Sequence, residues 1–166
     1  DTLKLLEDNK IDIGLIGKPE NMKNIHFDFL EEIEDIFVAA KDYLRNLKAR
    51  GIQKDHILQS STLMLLDKNN MTRQYIDDYL QDNQIVIKDS IDISNMDLLI
   101  DFARIGVGVA CVIKNFVRED LENGTLVEIP LGFPIHKREV GFAYKTTTKP
   151  SKSLAEFIHF YKTYQK

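Results

Sequence analysis

Gly17 and Lys18 form one small polar cluster, Asn69, Asn70 and Thr72 a second, and Ser94 and Asn95 a third. Each stands where an apolar run gives way to a turn. Amide and hydroxyl groups beside the first N–H groups of a helix suit an anion or amide, because those N–H groups have no acceptor within the helix. Each cluster also has a plainer reading. Ser94 stands three residues before Asp97, an [ST]-x-x-[DE] capping box, and can serve the helix alone. Asn69 and Asn70 are common turn residues, and Lys18 can simply be solvated. Arg73 could reach an anion, or pair with Asp77 one helical turn on.

Nothing in the chain asks to be a catalytic centre. His26, His56, His136 and His159 stand far apart, with no i, i+4 pair, so no metal is assigned. There is no G-x-S-x-G elbow, Walker loop or G-x-G-x-x-G, and no cofactor is assigned. Glu31, Glu32, Glu34 and Asp35 form a carboxylate run better explained by a solvated strand edge than by acid–base chemistry.

The elements that must position these clusters alternate in type. Thr2 to Asn9 reads as the end of a helix, and Lys10 to Gly17 as a central strand. Ile33 to Ala40, Thr62 to Leu66 and Ile85 to Ile87 read as further strands. Tyr75, Ile76, Tyr79 and Leu80 recur at helical spacing, predicting an amphipathic helix from Met71 to Asp82. From Ser90 to Ile129 the pattern is helix, strand, helix, strand. Leu98, Leu99, Phe102 and Ala103 share a helical face, and Gly106 can end that helix in the left-handed conformation. Val107 to Ile113 is apolar without alternation, as a strand covered on both faces should be. That succession predicts a parallel α/β sheet with its loops gathered at one end. Pro130, Gly132 and Pro134 mark a linker. Glu139 to Tyr144 is a strand, and Ser151 to Tyr164 a closing helix.

The chain has 166 residues, 43% hydrophobic and 29% charged, enough to bury a core. Its formal charge of −4 argues against gripping a polyanion over a wide face. The single cysteine, Cys111, rules out an internal disulfide and lies in an apolar run, where a buried inert thiol is expected. No apolar run reaches the roughly 20 residues that span a bilayer. With no signal peptide visible at the start, a cytoplasmic location is expected.

In order along the chain, IDIGLIG, EEIEDIFVAAKDYL, IDISNMDLLIDFARIGVGVACV, NFVREDLENGTLVEIPL and PSKSLAEFIHFY resemble the effector-binding domain of LysR-type transcriptional regulators. Tyr43 stands where that pattern usually has proline, as do Ile113 and Lys114 after the glycine motif. The resemblance implies two Rossmann-like α/β lobes of the periplasmic-binding-protein type 2 kind, 1–42 with 134–166 forming one and 43–133 the other. The first strand of that pattern is not found at the start of this sequence. It also implies a small anionic or amino-acid-like effector held between the lobes by the three polar clusters. A homo-oligomer is implied as well, a dimer or, in the full-length protein, a tetramer. DNA would be contacted only through a helix-turn-helix that this sequence does not contain. No membrane partner and no enzymatic activity are implied. The rival expectation is a solute-binding protein of a transporter, which would carry a signal peptide upstream instead of a helix-turn-helix.

Overall fold

The computed structural model describes residues 2–19, 21–146 and 149–164. Its helices are α1 (Thr2–Glu7), α2 (Lys41–Ala49), α3 (Ile57–Ser60), α4 (Met71–Asp82), α5 (Met96–Arg104), α6 (Arg118–Asn123) and α7 (Lys152–Tyr164). Its strands are β1 (Gly14–Gly17), β2 (Ile25–Ile33), β3 (Asp35–Ala40), β4 (Thr62–Leu66), β5 (Asp89–Ile93), β6 (Val109–Ile113), β7 (Leu126–Glu128) and β8 (Arg138–Lys145). The chain divides into two compact units. Asp1–Glu32 with Arg138–Lys166 makes the smaller, and Ile33–Lys137 the larger.

The larger unit is a three-layer sandwich around a five-stranded sheet of order β5-β4-β6-β3-β7. Side chains alternate across a strand, and here both faces are dry. Ile36, Val38, Met64, Leu66, Ala110 and Val112 face α5 and its residues Leu99, Ile100 and Ala103. The intervening Phe37, Ala39, Leu63, Leu65, Val109 and Cys111 face Ile76 and Leu80 of α4 and Leu58 of α3. Burial on both sides is why β4 and β6 carry unbroken apolar runs. Cys111 is buried, as expected.

Two glycines make this packing possible for different reasons. Gly106 has φ +78° and closes α5, its N–H donating to the Ala103 carbonyl. Gly108 lies where β6 crosses the Thr62 carbonyl, which leaves no space for a Cβ.

The smaller unit has a three-stranded sheet of order β1-β8-β2, with β1 antiparallel to β8. Leu6, Ile16, Ile25 and Ala143 form its core. Phe142 of β8 meets Phe157 and Tyr161 of α7 edge to face, and the Tyr161 hydroxyl donates to the Phe29 carbonyl.

Several expectations need correction. The Lys10 to Gly17 strand is an edge strand of four residues, not a central one, and Leu15 is 57% exposed. The larger sheet is mixed: β4 is parallel to β5 and β6, but β3 runs antiparallel to β6 and β7. Because β3 pairs there, residues 33–42 belong to the larger unit. Ile85 to Ile87 is not a strand. Ile85 and Ile87 pack against the α4 side while Val86 stays 73% exposed, and the strand that follows is the edge strand β5. Asp35, in the carboxylate run, is buried rather than solvated. The segment around Pro130 to Pro134 is fastened to α4. Tyr79 donates to the Phe133 carbonyl and Tyr75 to the His136 carbonyl.

Candidate functional site

Adjacent parallel strands β4 and β5 end level with each other, Leu66 opposite Ile93, and the Asp67 N–H donates to the Ile93 carbonyl at 3.1 Å. From Leu66 the chain turns through Asp67–Asn70 into α4, on one face of the sheet. From Ile93 it turns through Ser94 and Asn95 into α5, on the opposite face. Loops that leave neighbouring parallel strands toward opposite faces open a crevice at the carboxyl edge of an α/β sheet. The second and third polar clusters are thus side by side, at the starts of two helices.

Asn70 caps α4, its Oδ1 accepting from the Thr72 N–H at 2.9 Å. At α5 the capping expectation is corrected by one residue. Asn95, not Ser94, is the cap, its Oδ1 accepting from the Leu98 N–H at 2.9 Å. Asn95 is extended and one residue closer to the helix, so its shorter reach satisfies the first turn. Among the described residues Ser94 makes only a long 3.4 Å contact, with the Asn95 amide. Its hydroxyl is left to the crevice rim, where Asn69, Asn70, Ser94 and Asn95 are all exposed.

Beneath the rim, Arg73 fixes the geometry. Its side chain is buried, and Nη1 donates to the Leu66 carbonyl at 2.8 Å and to Asp92 at 2.5 Å, while Nε donates to Asp77 at 2.8 Å. One guanidinium ties α4 to the ends of β4 and β5. Burial works against its charge, but the hydrogen bonds to Asp92 and Asp77 outweigh burial and raise its pKa. The planar fork suits three acceptors at once. Arg73 is therefore engaged inside the protein, and pairing with Asp77 is only half of its role. Asp92 was not singled out from sequence. Its one available signal was the alternation of Ile91 and Ile93 around it.

The same bond holds the Asp92 carboxyl below the usual range. A lowered carboxylate pKa contributes stability above the unfolded value of about 3.9, lost as pH falls through the folded value. We expect Asp92→Asn to be less stable than the parent chain at pH 7, with the gap narrowing as pH falls below about 4 and closing only below the lowered folded value. Urea denaturation at the two pH values measures it; a gap that is constant with pH would remove Asp92 from the acid limb.

Gly17 and Lys18 lie in the smaller unit. Gly17 ends β1, opposite Val140, and the Lys18 N–H donates to the Glu139 carbonyl at 2.9 Å. The Lys18 ammonium pairs with Glu139. Its side chain stays 54% exposed. Among the described residues no three His, Cys, Asp or Glu side chains gather as a metal site, and no helix is long and apolar enough to cross a membrane.

The family model of the LysR substrate binding domain matches residues 1–166. The chain belongs to the LysR substrate-binding domain family. Its fold is the periplasmic-binding-protein type 2 kind, and the family consists of effector-binding domains of transcriptional regulators, not enzymes. Among solved structures it is similar to the regulatory domain of HypT from Salmonella typhimurium in its apo-form, at a TM-score of 0.78 and 18% identity, over 98% of this chain and 77% of that one. It is also similar to the CcmR regulatory domain of Synechocystis PCC6803 in complex with 2-PG, at 0.75 and 12%, over 96% and 76%. A third is the effector-binding domain of QuiR in complex with shikimate, at 0.72 and 17%, over 96% and 74%. The HTH-type transcriptional regulator YeiE of Escherichia coli K12 is 23% identical over 161 residues, 96% of this chain and 54% of that protein. The chain thus spans about half the length of that relative.

Proposed function

We propose that this LysR substrate-binding domain senses a small anionic or amino-acid-like effector, and that Asn69, Asn70, Thr72, Ser94 and Asn95 contact it. The observation that carries the reading is the pair of helix starts side by side at the carboxyl ends of β4 and β5. Two helix N-termini aimed into one crevice favour negative charge, and each cap uses only one of the N–H groups that a helix start leaves over. Gly17 and Lys18 are proposed as further contact residues. That similar folds have been solved with shikimate, 2-PG and a bromide ion adds support.

In a longer protein the domain would control DNA binding and transcription from a cytoplasmic homo-oligomer. The effector would act by its difference in affinity for two conformations, since equal affinity shifts nothing. Isothermal titration with small carboxylates and amino acids tests the reading. We expect a member that gives heat to bind about tenfold more weakly to Thr72→Val and to Ser94→Ala, the loss of roughly one hydrogen bond to a charged group. Silence across the panel, or a ligand indifferent to every one of these substitutions, would sink it.

A further inference from the structure

The larger unit carries a second concavity, at the opposite edge of its sheet from β5. It is a surface depression of about 950 Å³, within the range that small-molecule pockets occupy. Leu44 and Leu47 of α2, Ile52, Ile57, Val127 and Ile129 make its floor. Lys41, Lys48 and Lys54 stand on its rim and are exposed.

The rim charges are not balanced. Two rim carboxylates are paired with cations, Asp42 with Arg45 and Glu128 with Lys114 at 3.1 Å, and the third, Asp55, shares a hydrogen bond with His56 at 2.9 Å, which leaves three lysines against that one carboxylate. Among the described residues Lys41, Lys48 and Lys54 make no ion pair. On α2, Lys41 and Lys48 are two turns apart, Leu44 lies between them on the same stripe, and the buried Leu47 lies beside it. An apolar floor with unneutralised ammonium groups at its lip has a defined complement. A purely apolar partner would strip water from the lysines without replacing it. A simple inorganic anion would leave the floor wet. A molecule with an apolar body and one carboxylate satisfies both.

We propose that this depression binds a medium-chain carboxylate, its chain along Leu44, Leu47 and Ile52 and its head group among Lys41, Lys48 and Lys54. The site is separate from the crevice at β4 and β5, so the domain would have a second ligand input. Decanoate is the probe, titrated by calorimetry with amide shifts followed by NMR. We expect saturable binding tighter than about 1 mM, with shifts in α2 and at 127–129. Decanol, which has the chain without the charge, should bind at least about fivefold more weakly, and Lys48→Glu and Lys54→Glu should each weaken decanoate by about fivefold. Ile52→Asp should abolish binding, and Thr72→Val should leave it unchanged. Lys54 is exposed in a turn of three residues, so its variant stays informative even if a floor variant unfolds. Absent decanoate binding, decanol binding as tightly, or affinity unaltered in both lysine variants would overturn the proposal. Loss on Thr72→Val alone would assign the ligand to the β4–β5 crevice instead and also overturn it.

Discussion

Gly108→Ala is expected to cost the larger unit about 3 kcal/mol or more, against about 1 kcal/mol for Gly106→Ala two residues earlier. The two glycines look alike in sequence, and the contrast comes from what an added methyl would meet. At Gly106 the nearest atom is the Cβ of Ala40, 3.9 Å away, so only the left-handed φ is strained. At Gly108 the new carbon would run into the Thr62 carbonyl, with Met64 Cγ also 3.4 Å away. The Thr62 carbonyl belongs to the backbone of β4, which is paired to β6 through Leu63 and Val109. A backbone cannot rotate aside as a side chain can. The two central strands would have to separate, and Val109, Cys111, Leu63 and Leu65, all packed against α4 and α3, would separate with them. Hydrogen exchange of the β4 and β6 amides reads this directly. Gly108→Ala should lose protection in both strands, while Gly106→Ala keeps it. Equal protection in the two variants would mean that the strands are not this close.

Where one period ran through a long segment, the fold was legible. The helix over Met71 to Asp82 follows from Tyr75, Ile76, Tyr79 and Leu80, and β4 and β6 follow from apolar runs too dense for a one-sided strand. Strand direction was not legible, because side-chain alternation looks the same for a parallel and an antiparallel partner. Hence nothing in Ile33 to Ala40 showed that this strand enters the larger sheet, where it runs antiparallel to both β6 and β7. Ile85 to Ile87 misled for a related reason. Isoleucine and valine favour strands as residue types, but Ile85 and Ile87 cover the flank of α4, and the strand uses Asp89–Ile93, polar because its outer edge meets water. The polar clusters of the candidate site could be found as turn residues after apolar runs. Their adjacency could not, since it depends on β4 lying next to β5. The α5 cap was displaced by one residue because Ser94 and Asn95 are both good caps, and backbone direction alone chose between them.

Arg73→Met should destabilise the larger unit by about 3 kcal/mol and loosen the crevice that the proposed effector uses. Methionine keeps much of the aliphatic volume, so the loss is chiefly polar. The Leu66 carbonyl at the end of β4 loses its Nη1 donor, and a buried acceptor left unpaired costs about 1–3 kcal/mol. Asp92 and Asp77 lose a charged partner, but their side chains are 41% and 47% exposed and water can replace part of it. That exposure keeps the cost near the bottom of the range for breaking a buried ion pair. Arg73→Lys should recover little, because an ammonium is a compact charge and cannot reproduce the fork that spans α4, β4 and β5. The thermal midpoint should fall by roughly 6–12 °C, taking about 2–4 °C per kcal/mol for a chain of this size. A second readout separates stability from function. At a temperature where Arg73→Met remains folded, effector affinity should still fall, since Asn70 and Ser94 stand on the two loops that Arg73 holds together through Leu66 and Asp92. If the midpoint drops while affinity at that temperature stays at the parent value, the two loops keep their spacing without the guanidinium. The crevice would then be held by the backbone pairing of β4 with β5, up to the Asp67 to Ile93 bond.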